Sequence, residues 1–304
     1  MPIPLLFIGA GALAATGLGK TVKAGIDNHN AKELNEAADY RIEYAKIKLD
    51  KKRNECAIAL EELGQQKLFV LNHSIKEFLN SFEKLKDVEF RETQGINELN
   101  KFHIPKNDFE ELKEMKSFAA SFLEGSVAGA VTAFGAYGTI KTNATLAFFR
   151  GGSVKVGAAV LGGLVAGPAL LVMGFITGSQ ADKNLENAYA NTAKSHEISE
   201  QLNAGSEQCS AIRRRTYMFY NLLARLDAYF YPLIYLMENV IEREGTDYSK
   251  FSDEGKKLIA SVASVAVTIK AVLDTPLLTE DGRLTMESER IAQEVLEDLT
   301  KKRM

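Results

Sequence analysis

The sequence predicts an all-α protein: an elongated antiparallel helical bundle or coiled-coil stalk carrying a Gly/Ala-rich apolar helical hairpin. Three observations predict it. Two long stretches, 31–87 and 182–243, place apolar residues at alternating spacings of three and four, the period of a helical seam. The 304 residues include only six Pro and no Trp, as long uninterrupted helices favour. Between the two stretches, 122–181 holds about half of the 23 glycines in a background of Ala, Val, Leu and Phe. Together these divide the chain into an apolar N-terminal helix (1–27), a long stalk helix with connector (28–121), the hairpin (122–181), a second stalk helix (182–244) and a C-terminal helical pair (245–304).

The first nineteen residues, MPIPLLFIGAGALAATGLG, are uncharged. A secretory signal would need basic residues before the apolar run, and Met1–Pro4 has none. Ala14 to Thr21 fits a relaxed phosphate-loop pattern, but that motif has meaning only in a strand–turn–helix unit backed by a parallel sheet. No alternating βα pattern follows. The preferred reading is a Gly/Ala-rich helix that inserts in a membrane or packs on the hairpin, its length approaching the ~20 residues of a span.

From Ala31 to Asp87 the composition is that of a strong helix former, with no Pro and a single Gly. Leu34, Ala38, Ile42, Ala45 and Leu49 keep one face apolar, and a heptad resumes at Leu68, Leu71, Ile75, Phe78, Phe82 and Leu85. Residues 90–107 read as a connector. Asn107 or Asp108 is expected to cap the next helix, with Phe109, Leu112 and Met115 on its apolar side.

In the hairpin there is no acidic residue between Glu124 and Asp182. Gly125–Ile140 reads as one apolar helix, broken near Lys141, and Arg150-Gly151-Gly152 as the turn. Val156–Gly178 is long enough to cross a hydrocarbon core. Small residues recur every four positions at Gly125 and Gly129, at Ala159, Gly163 and Gly167, and at Gly174 and Gly178. That spacing lets helix backbones approach closely inside lipid, and Pro168 is tolerable there. In water each helical Gly costs ~1 kcal/mol relative to Ala, so tight packing or a bilayer must compensate. The charges near the apolar regions, Lys20, Lys23, Lys141, Arg150 and Lys155, are all basic and suit anionic headgroups.

The second stalk helix shows an unbroken seam at Leu202, Gly205, Cys209, Ile212, Thr216, Phe219, Leu223, Leu226, Phe230, Leu233, Met237 and Val240. Pro232 predicts a local bend. Because the hairpin lies between them, the two long helices are expected to pair antiparallel. Arg213-Arg214-Arg215 with Tyr217 and Tyr220 reads as a solvated face, and Tyr229, Phe230, Tyr231 and Tyr235 as core rather than an interfacial belt. Ser252-Asp253-Glu254 caps a helix over 254–273, and Thr285 or Ser288 caps the last one.

Net charge is −3, which gives no global drive toward nucleic acid. Cys56 and Cys209 lie on apolar faces and read as reduced buried thiols of a cytosolic protein. The four His share no metal spacing, and no nucleophile–base constellation or credible cofactor loop is visible, so neither an enzyme nor a cofactor is expected.

Four segments, MPIPLLFIGAGALAATGLGKTVKAGID, ALEELGQQKLFVLNHSIKEFLNSFEKLKDVEF, TNATLAFFRGGS and AVLGGLVAGPALLVMGFITGSQADKNLENA, resemble a group of uncharacterised bacterial proteins loosely described as chemotaxis proteins. The resemblance weakens beyond residue 240 and implies no site residues. In arrangement the chain is similar to α-helical pore-forming toxins. The expected function is a membrane-active protein that inserts a glycine-zipper hairpin and oligomerises, as a pore or a defence effector, from the cytoplasm at the inner membrane, with secretion left open. Lipid and further copies of the chain are the expected partners. The alternative is a cytoplasmic coiled-coil scaffold for a protein partner, with the hairpin buried in its core.

Overall fold

A computed structural model describes residues 18–86, 88, 106–123, 128–138, 185–279 and 282–301. Among these residues the protein is all-α, with no strand and only two isolated bridge pairs, Lys86 with Asp247 and Leu278 with Leu284. Helix α1 (Leu18–Val70) passes through a π-turn (Leu71–Ile75) into α2 (Lys76–Phe82). Then come α3 (Lys106–Leu123), α4 (Ala128–Tyr137), the long α5 (Leu185–Glu244), α6 (Asp253–Asp274) and α7 (Met286–Lys301). The N-terminal boundary expected near residue 27 falls inside α1, which is continuous there.

The chain divides into two compact units. Unit 1 comprises Met1–Leu49 and Gly167–Ala204, and unit 2 comprises Asp50–Ala166 and Gly205–Met304. In unit 1 the start of α1 buries Ala31, Ala38, Ile42, Ala45 and Leu49, and the start of α5 buries Ala188, Ile198 and Leu202. Alanine at every seventh position keeps that seam thin. Polar side chains bridge it: Asn191 donates to Asn35 (3.1 Å), Arg41 to Ser195 (2.8 Å) and Lys48 to Asn203 (3.1 Å).

These pairs correct the expected orientation. In unit 1 bonded partners lie 154 to 156 residues apart. In unit 2, where Arg213 donates to Glu55, Ser74 to Asp227 and Ser81 to Glu238, they lie 153 to 158 apart. A near-constant difference in number marks parallel helices, whereas antiparallel helices keep a constant sum. The long helices therefore run parallel in each unit. The return leg in unit 2 is taken by α3 and α4. Phe109 stacks on Phe82 with ring centres 4.7 Å apart, and Asn72 donates to the Ala119 carbonyl. Farther along, Val131 meets Gly64 and Gly135 meets Leu60. Numbers rise along one partner and fall along the other, so α5 starts again in the direction of α1. Oxidative cross-linking checks this in a chain carrying Cys56→Ser and Cys209→Ser. Asn35→Cys with Asn191→Cys should form a disulfide, and Asn35→Cys with Glu238→Cys should not.

The α5 seam is buried as its spacing predicts, except at Leu233, where Ile234 takes the inward place. The helix continues through Pro232. Cys56 and Cys209 are buried and unpaired. Burial pushes the Cys56 thiol up to about 12 and also raises that of Cys209. Phe230 is core, but Tyr229, Tyr231 and Tyr235 are 48, 46 and 65% exposed, against the expected burial. Tyr231 stacks on His73, which stacks on Phe69, leaving an aromatic patch on the outside of unit 2.

Two further starts differ or agree for clear reasons. Helix α3 begins at Lys106, so Asp108 lies in its first turn rather than at the cap, and its carboxylate pairs with Lys270 at 3.1 Å. Helix α6 starts where expected: the Ser252 hydroxyl accepts from Gly255 N–H at 3.0 Å. Thr285 likewise accepts from Ser288 N–H, capping α7.

Candidate functional site

Most of the apolar hairpin that the structure describes is α4, and its seat in unit 2 is closely constrained. The helix contains no charged residue, and 131–138 are all buried. It ends at Tyr137, three residues before the expected end, because Gly138 adopts a left-handed φ of 71° and terminates it. A side chain at Gly138 would also strike the Asp274 carbonyl oxygen.

Two glycines set how closely α4 approaches α1. A Cβ at Gly64 would overlap the carbonyl oxygen of Val131, and a Cβ at Gly135 would overlap that of Leu60. Each helix thus presents a bare Cα to the other's backbone. The two occur one turn apart, so the contact is reciprocal. This is small-residue packing of the kind expected of the hairpin, but used here against a water-facing helix.

The end of α4 is also wired in. Its last carbonyls have no helical partner and must find donors elsewhere. Ala136 C=O accepts from Leu277 N–H and Leu278 N–H, at 2.8 and 3.1 Å. Phe134 C=O accepts from Lys67 Nζ at 3.4 Å, and the same ammonium donates to Leu273 C=O at 3.2 Å in the last turn of α6. Lys67 thus joins the carbonyl ends of two helices, where a cation complements both dipoles. It also lies 5.5 Å from the Phe134 ring centre.

Lys67 is fully buried, and among the described residues no carboxylate pairs with it. Burial pulls its ammonium down to about 7, with the Asp274 charge opposing. Lys270, nearby on α6, has the opposite fate. It touches Glu111 at 2.6 Å, Asp274 at 2.9 Å and Asp108 at 3.1 Å. Burial alone would lower it, but bonds to these carboxylates hold it above the ordinary lysine value. Two buried lysines therefore differ because one pairs directly with carboxylates and the other bonds only to backbone carbonyls.

Of the expected site residues, Gly129 lies in the first turn of α4, and Lys20 and Lys23 lie in the first turns of α1. Gly125, Lys141, Arg150, Lys155, Ala159, Gly163, Gly167, Pro168, Gly174 and Gly178 lie outside the described residues. Gly64, Gly135 and Lys67 were missed by the sequence reading. Two signals pointed to them. Gly64 is the single glycine of a stretch otherwise built for helix, and Lys67 continues the spacing of Leu60 and Leu63 into a core position. Among the described residues no helix is long and apolar enough to cross a membrane, and no cluster of His, Cys, Asp or Glu is set to hold a metal. No protein-family description matches this chain, and neither a curated protein nor a solved structure shows significant similarity to it.

Proposed function

We propose that this chain is a membrane-active helical protein whose glycine-rich segment is sheathed by charged helices until it meets a bilayer. The observation that carries the reading is α4, an uncharged helix of that segment held inside unit 2 by bonds at its C-terminal end. The rest of the segment, through Gly178, has the composition and small-residue spacing of helices that associate in lipid. The exposed Phe69–His73–Tyr231 stack offers aromatic rings of the kind that settle at headgroup depth. On this reading the protein acts at the inner membrane from the cytoplasmic side, and further copies assemble through Gly163 and Gly167.

The second reading, a coiled-coil scaffold that keeps the segment as core, is favoured by the reciprocal backbone contact at Gly64 and Gly135, which suits permanent packing. Flotation on phosphatidylglycerol vesicles with dye release separates the two. The intact chain is expected to float and to release dye. In the Gly163→Leu, Gly167→Leu variant, flotation should persist while leakage falls. Failure of the intact chain to float leaves only the scaffold reading.

A further inference from the structure

A second feature of unit 2 is independent of what α4 does. A cleft of about 680 Å³ opens beside α5, and four cations line it: Lys52 from α1, and Arg213, Arg214 and Arg225 from α5. No carboxylate lines it. Glu55 stands next to it and serves two of the cations at once, Lys52 at 2.9 Å and Arg213 at 3.3 Å. Its own carboxyl is held below the usual range, first by the Lys52 hydrogen bond. Arg214 and Arg225 have no ion-pair or hydrogen-bond partner among the described residues. Among the described residues the buried Nε–H groups of Arg213 and Arg53 have no acceptor.

A solvated basic face explains this poorly. Among the described residues several other arginines meet an acid: Arg53 meets Asp50, Arg215 meets Glu289, Arg243 meets Glu244, and Arg290 meets Glu287 and Glu294. Here like charges converge on a concavity, where the field is focused rather than dispersed.

We infer that the cleft lined by Lys52, Arg213, Arg214 and Arg225 binds a small phosphate compound carrying at least two negative charges. The chemistry follows from the lining. Guanidinium groups match phosphate oxygens in pairs, and a tetrahedral phosphate can take donors from α1 and α5 together. Ser210 and Asn221 add neutral hydrogen-bonding groups. Tyr217, Leu222 and Leu296 form the apolar wall that an organic moiety needs, and Arg213 lies 5.5 Å from the Tyr217 ring. The volume is that of an ordinary small-molecule site, roughly 300–1,000 Å³. Ser210, Arg214, Tyr217, Asn221 and Arg225 form one face of α5 beside its buried seam.

The test is calorimetric titration of the full chain with pyrophosphate, with ADP, and with dihexanoyl phosphatidic acid below its micellar concentration. At least one of these is expected to bind, and binding should weaken as salt rises from about 50 to about 200 mM. The Arg214→Gln, Arg225→Gln variant, altered at exposed positions, should melt like the parent and bind at least about tenfold more weakly. Preference for pyrophosphate or ADP identifies a soluble phosphate, and preference for the short-chain lipid identifies a headgroup. Absence of heat with all three at millimolar concentration overturns the inference, as does unchanged binding by the double variant.

Discussion

Replacing Gly135 with alanine is expected to unseat α4 and destabilise unit 2 by about 3 kcal/mol or more, the upper range for overpacking. In an isolated helix the same change would add stability, because alanine exceeds glycine by ~1 kcal/mol. The sign reverses here because the new methyl meets the Leu60 carbonyl, a backbone atom that cannot rotate away. Gly64→Ala meets the Val131 carbonyl in the same way. Once one methyl has forced α1 and α4 apart, the second finds room, so the double variant should be little worse than either single one. Gly245→Ala is the control. Its φ of 91° carries strain of ~1–2 kcal/mol, but nothing lies within 4 Å of the added carbon. Urea unfolding supplies the energies, and protease cleavage within 128–138 reports whether α4 has left its seat. Additive losses from Gly64→Ala and Gly135→Ala would mean that the two glycines do not share one contact.

The seam of α5 was legible because twelve positions at spacings of three and four leave little freedom in which face is buried. The cap at Ser252 was legible for a similar reason, and the last cap was narrowed to Thr285 or Ser288, since the side chain that accepts the bond is adjacent to the helix it starts. Helix direction was not. A heptad identifies the face that is buried but not the direction of its partner, and the return leg through α3 and α4 decided it. Nor was the placement of Arg214 beside a cleft, because the Arg213-Arg214-Arg215 run reads identically on a convex surface and in a cleft. The tyrosines around Phe230 failed for another reason: aromatic composition marks apolar surface without saying which residues the helix turns outward.

The basic seam residue gives the other large effect. Lys67 titrates near 7 when folded and near 10.5 when unfolded, because burial disfavours its charged form. Between those values the unfolded chain holds a proton that the folded chain has released, so stability rises with pH across that window. It is greatest above 10.5 and is lost as pH falls through 7, a span worth ~5 kcal/mol. The groups that face the amine do not cancel this. Phe134 and Leu273 offer carbonyls, and Asp274 on α6 is engaged by Lys270. Lys67→Met removes the proton but leaves both carbonyls without their donor, at a cost of ~1–3 kcal/mol each. The variant's stability should therefore lose this rise between pH 7 and 10.5. It should be as stable as the parent or more so at pH 7, and less stable at pH 10.5, so the two urea-midpoint curves cross. Parallel curves would show that Lys67 keeps an ordinary titration when folded. Since Lys67 holds the end of α4, a crossing would also make acidification the condition that loosens the sheathed helix. Vesicle leakage by the parent should then rise as pH falls from 10.5 to 7 and level off below that, and leakage by Lys67→Met should not follow pH across this window.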